Sequence, residues 1–295
     1  MHSEIELQLR GMIFDRLAEI SAGPGVVTRS QLENLRLPNG EVRRVIDQSA
    51  GIWNPSDLSA TLSVVSSPDG PYTDREMGDS LFSYDYRAGS TEGSNRKLRL
   101  AHELHLPIIL LRKIKTAIFV PIAPVYVVRD DLPNRRFLLA LDEELRFVSD
   151  PLHLKPVERA YAERAVKQRL HQPEFRGRIL TAYDCRCTVC SLRHGRLLDA
   201  AHIIADNKPY GLPTVQNGLS LCKIHHAAYD ANLLGISPDY TVSINSELME
   251  EIDGPMLQHG LKEMDGRPLT LPSHRNDRPS KELLVERFSE YLAAG

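Results

Sequence analysis

Apolar positions in the first fifty residues recur mostly at helical spacing. Ile5, Leu7, Leu9, Met12, Ile13, Leu17 and Ile20 predict one helix, which Gly23-Pro24-Gly25 terminates. Thr28-Arg29-Ser30-Gln31 starts a second, with Leu32 and Leu35 on its apolar side. From residue 51 to 150 the pattern changes to short apolar or β-branched runs. These are Ser59 to Val65, Leu81 to Tyr86, Ile108 to Leu111, Ile118 to Val128 and Phe137 to Leu141. Turns are predicted at Pro68-Asp69-Gly70-Pro71 and Leu132-Pro133-Asn134, and Asn95 to Leu104 predicts a helix between strands. Many short strands with one helix predict a curved sheet or small barrel. Residues 155–180 carry a long, charged helical pattern, broken or kinked near Pro173.

Beyond it the pattern becomes strand, loop, strand, helix. Leu198 to Ile204 predicts a strand with His202 near its end, and Pro209-Tyr210-Gly211-Leu212-Pro213 predicts a loop. Leu219-Ser220-Leu221 predicts the second strand, and a helix starts near Lys223. The tail from Asn245 contains helical pieces and ends in the amphipathic run Lys281 to Leu292. The chain has no repeats and no low-complexity tract.

Composition sets bounds on this picture. The 295 residues suffice for two domains, and 42% hydrophobic with 25% charged residues is ordinary for a soluble globular protein. No apolar run reaches the roughly 18–20 residues that span a bilayer, so no membrane partner is expected. Met1-His2-Ser3-Glu4-Ile5-Glu6 lacks the basic start and apolar stretch of a secretory signal, so a cytoplasmic location is expected. A net charge of −3 does not advertise nucleic-acid binding, but Lys155 to Arg196 is locally basic. Any single Arg there serves equally well as part of a solvated helix face.

The cysteines narrow the chemistry. Cys185, Cys187, Cys190 and Cys222 are clustered in one region, which in a cytosolic protein indicates a metal site before a disulfide framework. Cys187-Thr188-Val189-Cys190 and Cys222-Lys223-Ile224-His225 are two chelating pairs, each able to sit on a tight turn. Together they supply the four ligands of a closed, structural Zn²⁺ site. Cys185 could replace Cys187, although Cys-x-Cys places ligands less well.

The segment Tyr183 to Asn245, with Asp199-Ala200-Ala201-His202-Ile203 and the run Asn217 to Asp230, resembles the HNH endonucleases of bacterial restriction proteins. The approach from Arg169 to Cys190 resembles them too. The resemblance implies a ββα-metal nuclease that hydrolyses DNA. His202 would be the general base, since imidazole can deprotonate water near neutral pH. Asn217 would match the family's middle Asn and orient the His202 ring. His226 would match the last His, a ligand of a catalytic Mg²⁺ or Mn²⁺ that neutralises charge on the phosphate. Neighbours on a helix point about 100° apart, which would leave His225 for the zinc. Many such proteins place an Asp directly before the catalytic His, where this chain has Ala201. Asp199 is the preferred second ligand; Asp230, one helical turn beyond His226, is the alternative, and either could ligate the cation or orient a ligand.

The N-terminal region contains Trp53, Tyr72, Asp74, Tyr84, Asp85 and Tyr86 among short strands. In pattern, and in its pairing with an HNH module, it resembles the SRA-like (PUA-related) domains of modification-dependent restriction enzymes. That resemblance implies base flipping of 5-methyl- or 5-hydroxymethylcytosine. Trp53, Tyr72, Tyr84 and Tyr86 would be stacking faces, and Asp74 and Asp85 acceptors for the cytosine amino group. The same aromatics serve equally well as sheet core. Alternation puts Tyr84 and Tyr86 on one face and Asp85 on the other, barring a bulge.

The expected fold is α+β. An SRA-like curved sheet or barrel with flanking helices covers residues 1–150, a linker helix 151–178, and an HNH domain with a structural zinc and a helical tail 179–295. The expected function is a type IV-like endonuclease acting on double-stranded DNA with modified cytosine. One HNH site cuts one strand, so a double-strand break implies a homodimer or two sequential nicks. The alternatives are a nuclease that reads another mark or unmodified sequence, and a non-catalytic zinc module that binds DNA.

Overall fold

The computed structural model describes residues 2–67, 75–77, 81–86, 93–252 and 254–294. It divides into two units: Met1–Ala22 with Val26–Glu174, and Gly23–Gly25 with Phe175–Gly295.

The first unit opens with α1 (His2–Ser21). The stripe that α1 buries is Glu6, Arg10, Ile13 and Leu17, whereas Ile5 and Leu7 are 59% and 43% exposed. The apolar spacing read from Ile5 and Leu7 is therefore corrected, because a charged pair holds the inward side. The Arg10 guanidinium is 0% exposed; it bonds Glu6 at 2.7 Å and donates to the carbonyls of Thr61 (2.9 Å), Pro107 (2.7 Å) and Ala60 (3.0 Å). Ser59 N donates to the second Glu6 oxygen at 3.0 Å. Removing one partner of such a pair strands the other charge without water, which costs about 3–5 kcal/mol. Arg10→Ala is therefore expected to lower stability by that amount in chemical denaturation, and a loss below about 1 kcal/mol counts against this account.

Strand β1 (Val27–Thr28) leads into α2 (Arg29–Glu33), where Thr28 and Gln31 cap each other reciprocally, as the Thr-x-x-Gln spacing predicts. Short strands β2 (Leu35–Arg36), β3 (Val42–Arg43) and β4 (Ile52–Trp53) follow. Next come β5 (Ser63–Ser66), β6 (Arg75–Met77), β7 (Leu81–Asp85) and α3 (Ser94–Glu103). The long hairpin of β8 (Ile108–Lys115) and β9 (Ile118–Asp131) continues into β10 (Arg136–Ala140). β2 and β3 pair with each other, and the other strands of this unit form one mixed sheet in the order β4-β5-β8-β9-β10-β7-β6, with β1 also paired to β9. The β5–β8 pair is parallel. Register shifts in β8–β9 and β9–β10 bend the sheet, which curls into a half-barrel. In β8, Ile108 and Leu110 pack with Leu98 and Ala101 of α3, while Ile109 and Leu111 pack with Ile13 and Leu17 of α1. A strand covered on both faces needs a continuous apolar run, and Ile108 to Leu111 is one.

The charged helical stretch is α4 (Pro156–Val166), a widened turn over Lys167–His171, and α5 (Gln172–Ala182). Pro173 has no N–H to donate four residues back, and its ring would clash there, so the turn before it loosens. The first half of this stretch is not a bare connector, because Ala162, Ala165, Val166 and Leu170 are buried among the sheet residues of the first unit.

The second unit contains β11 (Leu198–His202), β12 (Gly218–Cys222), α6 (Lys223–Asp230), β13 (Leu234–Ile236) and β14 (Val242–Ile244). Helices α7 (Ser246–Glu250), α8 (Pro255–Gly260) and α9 (Lys281–Ala294) follow. One core joins Leu198, Ala201, Leu219, Leu221 and Tyr229 to Leu234, Ile236, Met264 and Leu284, so the tail helps to bury the hairpin. No helix among the described residues is long and apolar enough to cross a membrane.

Candidate active site and metal centre

Cys187 and Cys190 lie on a turn closed by Ser191 N donating to the Cys187 carbonyl at 2.9 Å. Thr188 N donates to the Ser220 carbonyl at 2.7 Å, which ties that turn to β12. Cys222 ends β12 and caps α6, and His225 is one turn into the helix. These local structures bring the ligand atoms of Cys187, Cys190, Cys222 and His225 within 4.8 Å of one another. His225 Nδ1 is 3.1 Å from Cys222 Sγ and 3.4 Å from Cys187 Sγ, spacings that suit neighbouring ligands on a tetrahedral ion. Its Nε2 is 2.8 Å from the Gly260 carbonyl, the contact that fixes a ligating histidine's tautomer and orientation. Cys185 is half-buried and is not a member of this cluster.

The charges in the cluster also suit a cation. Hydrogen bonds from Cys187 and Cys190 hold the Cys222 thiol far below the ordinary thiol range. Burial works to lower the pKa of His225, but its bonds to Cys187 and Cys222 outweigh this and raise it to about 10. Bonds to Cys187 and Cys222 push the Cys190 thiol up, so the charged sulfur of the cluster is Cys222, facing His225.

The hairpin of β11 and β12 sets out the second group. Strand alternation puts Asp199 and Ala201 on one face and Ala200 and His202 on the other. Asp199 therefore shares the face of the position where an HNH carboxylate was expected, two residues earlier. It meets α6 there: Asp199 Oδ2 is 3.3 Å from His226 Nδ1, and Asp199 Oδ1 accepts from Lys223 Nζ at 2.5 Å. His226 Nε2 is 3.4 Å from Asp230 Oδ2. Burial works to raise the Asp199 pKa, but hydrogen bonds from Lys223 and His226 outweigh it and keep the carboxylate ionised.

His202 packs its ring flat on Phe175, with centroids 4.0 Å apart and planes 10° apart. Gly218 is its cross-strand partner. A Cβ at Gly218 would lie 2.9 Å from Phe175 Cζ and 2.2 Å from Ile179 Cδ1, so the residue opposite His202 must be glycine for this ring wall to form. Asn217 is buried, and its side chain is aimed at backbone. Its Oδ1 accepts from Ile204 N (2.8 Å), and its Nδ2 donates to the carbonyls of Ile204 (2.9 Å) and Leu212 (3.0 Å). Asn217 thereby fixes the chain just beyond His202. Arg176 secures the other end of β11, donating to the carbonyls of Leu198 (3.1 Å), Gly195 (2.8 Å) and Gly23 (3.1 Å). Sequence reasoning missed Phe175 and Arg176, which looked like ordinary residues of a charged helix.

In the first unit, Tyr84 of β7 and Tyr86 just beyond it pack into one core cluster and are each 4% exposed. The Tyr84 hydroxyl donates to the Gly51 carbonyl at 3.1 Å. The Tyr86 hydroxyl bonds Asp130; burial and that bond push its pKa up to about 12. Trp53 packs in a different cluster, with its indole N–H on the Arg44 carbonyl at 2.9 Å. Its neighbour Ile52 packs with the tyrosines, so alternation along β4 directs Trp53 away from them. Asp85 is only partly buried. Trp53, Tyr84 and Tyr86 therefore do not line one shared pocket. Tyr72 and Asp74 lie outside the described residues.

Residues 187–237 match the family model described as HNH endonuclease. The match takes in the Cys₃His cluster together with Asp199, His202, Asn217, His226 and Asp230, and it identifies this part of the chain as a nuclease domain. No curated protein matches the chain. Among solved structures, a protein named "Modification dependent TagI restriction endonuclease" is similar at 16% identity and a TM-score of 0.31, over 89% of this chain and 90% of that chain.

Proposed function

We propose that this chain is a divalent-cation-dependent DNA endonuclease whose N-terminal unit directs cleavage to DNA carrying 5-methyl- or 5-hydroxymethylcytosine. The observation that carries the nuclease chemistry is the contact of Asp199 and Asp230 with opposite nitrogens of His226, beside a Cys₃His cluster. Adjacent ligands of an octahedral ion with bonds of about 2.1 Å are about 3 Å apart, and Asp199 Oδ2 and His226 Nδ1 nearly match that at 3.3 Å. Asp199 and His226 would hold Mg²⁺ or Mn²⁺, with Asp230 orienting the ring from its far nitrogen as carboxylates do for ligating histidines. Cys187, Cys190, Cys222 and His225 would hold Zn²⁺ with no position left for substrate, which makes that ion structural.

A divalent cation held by Asp199 and His226 would supply positive charge against the phosphate and the departing 3′ oxygen. His202 would take a proton from the attacking water as its oxygen bonds to phosphorus; the bond to the 3′ oxygen breaks, and that oxygen leaves with the electron pair and is protonated by solvent water. Phe175 holds the His202 ring in plane, and Asn217 with Arg176 fixes the two ends of its strand. One site cuts one strand, so a double-strand break takes two copies of the chain or two successive nicks.

The modified-cytosine preference rests on the sequence resemblance of residues 51–140 to SRA-like domains, together with the curled sheet. The burial of Tyr84 and Tyr86, and the separate packing of Trp53, favour a second reading in which the same nuclease responds to another mark or to unmodified DNA. The full-length protein should cut methylated or hydroxymethylated plasmid at least tenfold faster than a matched unmodified plasmid with Mg²⁺ or Mn²⁺, and neither with chelator. Equal rates on all three plasmids establish the second reading. No cleavage of any plasmid with either cation removes the enzymatic assignment.

A further inference from the structure

Lys223 is the first residue of α6, directly after the buried Cys222, so its backbone is held in place while its side chain is 57% exposed. Its ammonium occupies Asp199 Oδ1, and His226 occupies Oδ2. Arg176 also acts electrostatically on Asp199, but its guanidinium is tethered to three carbonyls. Among the described residues, Lys223 is therefore the movable positive charge on this carboxylate. A divalent ion placed against Asp199 and His226 would lie within a few ångströms of that ammonium, and like charges at that range repel strongly in a half-buried setting.

We propose that Lys223 is a counter-cation built into the active site. It neutralises Asp199 until a divalent ion displaces it, and then it swings out to pair with a DNA phosphate. This rests on the assignment of Asp199 and His226 as ligands of that ion. Its consequence is cooperativity: each ligand removes an obstacle to the other, so the cation raises DNA affinity and DNA raises cation affinity by the same factor. Without the cation, Lys223 is tied to Asp199 and contributes little to DNA binding. With it, Lys223 adds one phosphate contact.

The test measures Mn²⁺ binding to the full-length, zinc-loaded protein by electron paramagnetic resonance, in a His202→Ala background that keeps added duplex DNA intact. Lys223→Met keeps the aliphatic stem and removes the charge. It should bind Mn²⁺ about tenfold more tightly without DNA, and the gain in Mn²⁺ affinity on adding DNA should shrink by a similar factor. The slope of log affinity for DNA against log salt should fall by about 0.9 relative to Lys223, in the presence of Mn²⁺ only. Lys223→Arg should retain the cooperativity. Unchanged or weaker Mn²⁺ binding by Lys223→Met, while Asp199→Asn loses Mn²⁺, overturns the counter-cation role and leaves the ligand assignment standing. Normal Mn²⁺ binding by Asp199→Asn overturns both.

Discussion

Replacing His202 by alanine is expected to reduce DNA cleavage by at least about a hundredfold, while zinc content and DNA affinity stay at the parent level. A hundredfold loss corresponds to about 2.7 kcal/mol of transition-state stabilisation, the low end for losing a positioned general base. The structure gives reasons to expect a loss of chemistry and not of fold. His202 ends β11, and the backbone beyond it is held by Asn217 through Ile203 and Ile204. The ring's stacking partner, Phe175, remains packed with Ile179 and Tyr183 when the ring is gone. His226→Ala provides the contrast. It should raise the Mg²⁺ or Mn²⁺ concentration needed for cleavage and leave zinc in place, because His226 faces Asp199 and Asp230 and not the cysteines. Single-turnover cleavage alongside a DNA-binding titration separates the two effects. Cleavage by His202→Ala within threefold of the parent removes His202 from the mechanism.

The parts of the molecule that were legible in the sequence are those where local pattern and tertiary environment agree. The run Leu198 to His202, the Leu219 strand and the helix from Lys223 lie close to their predicted places, because the apolar periods and the two chelating pairs are local signals. The buried half of β8, Ile108 to Leu111, was legible for the same reason. Elements that depend on distant partners were not. Glu6 and Arg10 look like solvent-facing residues until the carbonyls of Ala60, Thr61 and Pro107 close around them. Tyr84 and Tyr86 have the side chains of a stacking pocket, and only their burial among Leu98, Val127 and Phe137 identifies them as core. The β13–β14 hairpin was missed although its signal is plain, with Leu-Gly-Ile and Val-Ser-Ile flanking the turn Ser237-Pro238-Asp239-Tyr240.

The second large effect is expected at the Cys₃His cluster: purified, untreated protein should contain one zinc per chain, and Cys187→Ser should unfold the second unit. Cys187 and Cys222 are both buried members of that unit's hydrophobic core, so the cluster lies within the packing. Its four ligands come from the Cys187–Cys190 turn, the end of β12 and the first turns of α6, and His225 adds the Gly260 carbonyl of α8. An ion there ties the Cys187–Cys190 turn, the end of β12 and α6 to one another from inside that core. Structural zinc contributes an apparent binding free energy of about 10–16 kcal/mol, against about 5–15 kcal/mol for the net stability of a typical domain. Loss of one ligand is then expected to exceed what the remaining contacts can offset. A strong chelator should have the same effect as the substitution, and cleavage should disappear with the loss of near-ultraviolet circular dichroism. Cys185→Ser is the control, because Cys185 lies outside the cluster and should change neither metal content nor melting. Folded protein without zinc defeats the assignment. Zinc release by His226→Ala, with retention by His225→Ala, shows instead that the two adjacent histidines exchange roles.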